Sequence, residues 1–438
     1  MAIQGIRDFP EPPRPQPTGR KLVVFNRDAD MPKMQSTLAN TTGGRIRDRR
    51  EFAGSATAFN ETLAAGETVV FHRQKVAVVA KPDVQASALE VSGVEIVRPE
   101  FYMFAIDELQ KRYADWVRQG LQMLVEGYGT AIPSGLSARA AESAAASFAD
   151  NNETTWGLQA IGVPGSRFTG RGINVAVLDT GLDFEHPDFV GRQITRRSFV
   201  EVQSEQDGQG HGTHTAGTVA GPMRSSIGRR YGVAPDVNLH IGKVLNNSGT
   251  GKEGEILDGM NWAIDQKCVA ISMSLGRPTT VDERTDPVYE RTGAAALLEN
   301  CLIIAAAGNE SSRDFGFIAP VGAPANSPSI MAVAAVDPLM NVAPFSCGGL
   351  SPTGKVDISG PGVAVFSSFP LPRQSRLLPG TSMACPHVAG AAALWAESDP
   401  SLRGQKLWDA LVGAARGLGI ARDFGSGLVQ VPGGGAIA

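Results

Sequence analysis

Long apolar runs are absent from these 438 residues. None approaches the roughly 18 consecutive apolar residues that a membrane-spanning helix requires. An excess of one charge is also missing. Lys and Arg total 40 against 44 Asp and Glu, a net charge of −4, which gives no footing for nucleic acid or for a membrane surface. Four cysteines, Cys268, Cys301, Cys347 and Cys385, are too few and too scattered for a disulfide scaffold. Cys268 and Cys301 flank or enter apolar segments, as buried free thiols do. The first ten residues lack the basic stretch and apolar stretch of a secretory signal, so the expected location is the cytoplasm, or outside it by a non-standard export route. What remains is ordinary globular material, 42% hydrophobic and 19% charged. The length allows two to three domains, and the 51 glycines suit tight strand-to-helix turns.

Chemistry concentrates in short segments. Leu378-Pro-Gly-Thr-Ser-Met-Ala-Cys-Pro-His-Val-Ala-Gly390 sets Ser382 behind a Pro-Gly-Thr turn and at the head of a small-residue run. The pattern predicts a loop feeding a buried helix, whose unpaired N–H groups favour negative charge developing on the hydroxyl. A serine there also serves as an ordinary N-cap. Ile173-Asn-Val-Ala-Val-Leu-Asp-Thr-Gly181 reads as a strand buried on both faces that ends in a carboxylate, Asp179. A carboxylate at such a place needs a partner. Gly210-His-Gly-Thr-His-Thr-Ala-Gly217 opens another small-residue helix. His211 and His214 have the i, i+3 spacing of a metal pair, but no Cys, Asp or Glu at ligand spacing completes a site. One His beside a buried Asp and a Ser is instead the set that activates a hydroxyl: the imidazole takes the proton and the carboxylate fixes its tautomer.

In chain order these residues are Asp179, His211 and Ser382. The three segments resemble the three signatures of the subtilisin-like serine proteases, the last over eleven residues apart from Cys385. Cys301-Leu-Ile-Ile-Ala-Ala-Ala-Gly-Asn-Glu310 is a further buried strand ending in Gly308-Asn309. Alone, that pair marks only a turn. The resemblance implies that the Asn309 amide donates to the oxyanion of a tetrahedral intermediate, with the Ser382 N–H as second donor.

Residues 1–20 are Pro-rich and read as a flexible tail. From 21 to 105 strands at 21–25, 67–71, 75–79 and 94–97, with a helix at 83–91, suggest a small α+β domain. Residues 76–104 are similar to the second half of the family's inhibitory propeptide. Residues 106–127 carry Ile106, Leu109, Tyr113, Trp116, Val117, Gly120 and Leu124 at helical spacing, an amphipathic helix expected to pack on a domain or a partner. An Ala/Ser/Gly-rich linker follows to 152, and a maturation cut is expected there. From 153 to 438 apolar strands (173–178, 237–244, 269–275, 302–307, 331–336) alternate with helices beginning near Thr213, Gly254, Gly293, Ser382 and Leu402. Such alternation predicts an α/β fold with a mostly parallel sheet and helices on both faces. The resemblance, over 155–431, makes it a subtilisin-like doubly wound fold. Asp179, Ser274 and Asn309 fall at the carboxyl ends of strands, where open α/β sheets place their sites.

The resemblance also implies two cleft walls, Gly249-Thr250-Gly251 and Ser274-Leu275-Gly276, that sandwich an extended peptide. Val321-Gly-Ala-Pro324 is similar to the primary-pocket floor, and Gly322 there suggests room for a large apolar or aromatic residue. Glu253 stands where relatives often carry a bulky apolar residue. With Asp282, Glu283, Asp286 and Glu290 it reads either as a preference for basic residues further upstream or as a solvated acidic loop. Asp188 matches a family calcium ligand, but the partner loop, Met223-Arg-Ser-Ser-Ile-Gly-Arg229, is basic and lacks Asn, which weakens or removes a site for a hard cation. The chemistry requires no cofactor. The expected partners are a polypeptide substrate and the chain's own N-terminal domain in the cleft, with neither nucleic acid nor membrane. The leading reading is a serine endopeptidase made as a zymogen. The alternatives are a catalytically silent peptide-binding relative, and an esterase or peptide ligase using the same triad.

Overall fold

The computed structural model describes residues 15–52, 56–81, 84, 86–89, 93–111 and 148–434. Most of the amphipathic segment expected at 106–127, and the linker up to 147, lie outside them; residues 106–111 are helical.

The N-terminal unit is built on strands β1 (Pro17–Phe25), β2 (Ile46–Asp48), β3 (Thr68–Phe71), β4 (Val76–Val79) and β5 (Val94–Ala105) in the order β5-β1-β4-β3-β2. Helices Met31–Thr42 and Ala56–Ala64 cover it. Its Val-rich strands do not alternate with polar residues because both faces are buried. Val23, Phe25, Val70, Ala77 and Val79 pack with Met34 and Leu38 of the first helix. Leu22, Val24, Val69, Val76 and Val78 join one core with Leu178, Phe199, Val244, Ile256 and Met260 of the larger unit. The two units therefore share a hydrophobic core. β1 begins at Pro17, so the strand reaches into the stretch read as tail, because the Thr18 hydroxyl binds the buried Glu100 carboxylate. β5 runs eight residues beyond the expected 94–97, for a reason visible only in the larger unit.

That unit is a seven-stranded sheet in the order β14-β13-β12-β10-β6-β8-β7. Its strands are β6 (Asn174–Asp179), β7 (Thr195–Ser198), β8 (Asn238–Lys243), β10 (Ala270–Met273), β12 (Leu302–Ala306), β13 (Met331–Val336) and β14 (Ile358–Pro361), all paired in parallel. Helices His211–Ala220 and Thr381–Ser398 cover one face, and Glu253–Asp265 and Pro287–Leu298 the other. The last begins at Pro287 rather than near Gly293, since Asp286 caps it by accepting the Val288 N–H at 3.0 Å. Two short strands stand off the main sheet, β9 (Thr250–Lys252) and β11 (Leu275–Gly276), as does a hairpin of β15 (Val365–Phe369) and β16 (Gln374–Leu378). β5 lies between β9 and β11, antiparallel to both, with Phe104 opposite Thr250 and Gly276, and Ala105 opposite Leu275. Those pairings carry β5 past its expected end.

Candidate active site

Strand order reverses direction of growth around β6, and the carboxyl end of that strand is a topological switch point. Asp179 is its last residue, 1% exposed. One carboxylate oxygen accepts the Thr180 N–H at 2.7 Å and the other the Thr215 hydroxyl at 3.2 Å. His211 opens its helix directly above. Its Nδ1 lies 2.8 and 3.0 Å from the two Asp179 oxygens, which leaves Nε2 facing the cleft. Asp207 holds that helix start in place, accepting the N–H groups of Gln209, Gly210 and Thr213 and two hydroxyls. Burial alone disfavours the His211 imidazolium, but Asp179, with Asp107 and Asp207 adding, outweighs it and raises its pKa to about 9. His214 turns away, its Nε2 3.1 Å from the carbonyls of Val365 and Arg376.

Ser382 is the second residue of its helix and is fully buried. Pro386 inside that helix has no N–H for the Ser382 carbonyl four residues earlier. The Ser274 hydroxyl takes that place, donating to it at 2.7 Å. The Ser382 Oγ donates to the Ser274 carbonyl at 3.4 Å. Asn309 follows β12, and its carbonyl oxygen accepts both the N–H and the hydroxyl of Thr381 at 2.9 Å. That fixes the amide so that Nδ2 points into the cleft. Asp179, His211, Ser382, Asn309 and Ser274 thus converge from five segments.

β5 runs beside these residues, along β9 and β11. The Ala105 N–H donates to the Gly249 carbonyl at 2.8 Å, and the Ile106 N–H to the Ser274 carbonyl at 3.3 Å. Gly251 and Gly276 are required by close approach: a Cβ at Gly251 would sit 2.2 Å from the Val244 carbonyl oxygen, and one at Gly276 2.7 Å from that of Ala323 and 3.1 Å from Ile106 Cδ1. Gly322 is also hemmed by backbone. A Cβ there would meet the Arg277 carbonyl oxygen at 2.7 Å, so this glycine admits a neighbouring backbone. Beyond Ile106 the chain turns helical. Asp107 Oδ1 comes to 3.9 Å from His211 Nε2, and the Asn309 Nδ2 donates to Gln110 Oε1 at 3.2 Å. His211 Nε2 and Asp107 Oδ1 are buried without a hydrogen bond. Burial pushes the Asp107 carboxyl up, against the pull of His211.

The Asp188 carboxylate, the candidate calcium ligand, is satisfied by protein donors. One oxygen accepts the Ser226 N–H at 2.6 Å, and the other the hydroxyls of Ser225 at 3.0 Å and Tyr231 at 2.7 Å. These are donors and fill the carboxylate where a hard cation needs oxygen ligands. Among the described residues no group of three or more His, Cys, Asp or Glu is placed to hold a metal. Glu253 and Asp286 are buried rather than a solvated loop. All four cysteines are buried and free, Cys385 within the helix behind Ser382.

The sequence profile of the subtilase family matches residues 170–427. The chain belongs to the subtilase family. It is a subtilisin-like serine peptidase. Subtilisin E of Bacillus subtilis (strain 168) is 40% identical over 266 residues, 60% of this chain and 66% of that protein. A subtilisin of Bacillus pumilus is 40% identical over 60% of this chain and 91% of its own length. Subtilisin Savinase of Lederbergia lenta is 39% identical over 63% and 96%. In structure, this subtilase is similar to Sphericase with a TM-score of 0.55 and 31% identity, over 65% of this chain and 99% of that one. The fold brings together Asp179, His211, Ser382 and Asn309, the residues singled out in the sequence, with supports that sequence reasoning missed. Thr381 and Asp207 had a signal, a hydroxyl beside Ser382 and a carboxylate four residues before His211. Asp107 and Gln110 had none, since only the fold brings them to the site.

Proposed function

We propose that this subtilase is an endopeptidase made as a zymogen. It cleaves extended polypeptides through an acyl-enzyme on Ser382, and its own N-terminal unit occupies the cleft until processing. The observation that carries the reading is β5 sandwiched between β9 and β11, the strand addition by which a cleft grips a peptide through its backbone. In this reading His211 takes the Ser382 proton, Asp179 stabilises the imidazolium, and the Asn309 amide and the Ser382 N–H receive the oxyanion. Ile106 takes the position of the cleaved residue, so the bond to be cut moves from the linker to Ile106–Asp107. The described arrangement is latent. Asp107 faces the base, Gln110 takes up the oxyanion amide, and the Ser382 Oγ is directed at Ser274. Opening the helical turn at 106–111 frees the base and the oxyanion amide. Asp188, satisfied by protein donors, serves this enzyme without calcium.

Intact mass over time for the wild type beside Ser382→Ala tests this. The expected result is loss of the segment ending at Ile106 from the wild type alone. A cut at the same bond in both proteins points to a contaminating protease and refutes self-processing.

A further inference from the structure

Behind the cleft strand lies an acidic recess that the chemistry above does not use. Glu253 is fully buried at the start of its helix, and Asp286, the cap of the neighbouring one, is 5% exposed. Arg98 of β5 bridges them. Its Nη1 lies 2.7 Å from Glu253 Oε2, and its Nη2 lies 3.1 Å from Glu253 Oε1 and 2.5 Å from Asp286 Oδ2. Tyr289 donates its hydroxyl to Glu253 at 2.9 Å, and the Phe101 N–H does so at 2.8 Å. Arg277, the recess's own cation, is 2.7 Å from Glu283 and only 3.7 Å from Asp286. Without β5, the recess sets Glu253, Asp286 and Glu283 against the lone Arg277.

Buried carboxylates without a cation are unfavourable, so a strand that covers this recess again in place of β5 is favoured when it brings a positive charge to it. We propose that it is a remote specificity subsite for a cationic side chain of a polypeptide substrate. It lies eight residues (106 − 98) on the amino side of the cleaved residue, and it favours arginine over lysine. The planar guanidinium spans two carboxylates that one ammonium cannot match at once. Main-chain pairing along β9 and β11 reads no sequence; the recess supplies selectivity, at the far end of about 26 Å of extended chain. The proposal rests on the cleft being the substrate site.

The test uses two peptides, identical except for Arg or Gln at that eighth position, and the full chain carrying Arg98→Gln, which empties the recess of its cation but leaves β5 paired, so both peptides compete with the same strand and are compared at concentrations that displace it. Cleavage is measured directly, and binding by fluorescence anisotropy on the same protein with Ser382→Ala added. The Arg peptide is expected to be favoured about tenfold in both assays, and the preference is expected to collapse when Glu253→Gln or, separately, Asp286→Asn is added. Equal handling of the two peptides in both assays overturns the subsite. Tighter binding of the Arg peptide with no cleavage of either keeps the subsite and overturns the proteolysis it was built on. A preference that survives both carboxylate variants assigns it to another part of the cleft and overturns the proposal.

Discussion

Asp107→Asn removes a carboxylate from beside the proposed base and should move the pH of the proposed self-processing. Two opposite charges 3.9 Å apart interact by about 4 kcal/mol at an effective dielectric constant near 20. Asp107 keeps 20% of its side-chain surface, and solvent there trims the interaction, so a shift of about 1–2 pKa units is expected for His211. The sign follows from the ring. His211 titrates at about 9, is protonated and unable to accept a proton below that, and becomes a base as pH rises through it. Wild-type self-processing should therefore climb with pH up to about 9. In Asp107→Asn the climb should come about 1–2 units lower, giving roughly 10–100-fold faster processing at neutral pH. The assay is intact mass over time across the pH range. Gln110→Ala is the comparison. It frees the Asn309 amide but leaves the ring's charge partners in place, so it should raise the rate without moving the midpoint. Coincident midpoints for wild type and Asp107→Asn would refute the electrostatic account.

Asn309→Ala should lower kcat by about 10²–10³, the loss known for such a donor in subtilisin itself, with KM for a peptide substrate little changed; an unchanged kcat removes Asn309 from the reaction. Thr381→Val deletes one of the two donors that fix the Asn309 carbonyl, and a fall in kcat of about tenfold, smaller than that of Asn309→Ala, is expected for a positioning residue. A chelator should leave the thermal midpoint unmoved because protein donors satisfy Asp188. By contrast, Asp188→Ala should destabilise the fold by about 1.5–3 kcal/mol by stranding the Tyr231 hydroxyl, read by denaturant unfolding. A midpoint that drops with chelator and recovers with calcium would show the site to be occupied by metal.

Some of this protein was legible before any coordinates. Apolar runs ending in Asp179 and Asn309 read as strands buried on both faces, because alternation with polar residues is missing from them. Ser382 and His211 stand at the heads of small-residue helices whose tight turns are written in glycine. β7 and β14, at the sheet's two edges, were not legible. Thr195–Ser198 is polar and charged and Ile358–Pro361 carries Gly and Pro, so neither shows a strand pattern, and pairing with an already formed neighbour decides them.

Local sequence determined which side chains are the candidates for the chemistry, since a nucleophile, a base and an oxyanion donor each need a particular backbone turn that short motifs encode. Tertiary structure alone decided what stands in front of them. Arg98 meets Glu253 across 155 positions of chain, and Asn309 meets Gln110 across 199. No periodicity or spacing records contacts so distant. They exist because the N-terminal sheet and the subtilase sheet bury apolar faces in one core, and that shared core holds β5 between β9 and β11.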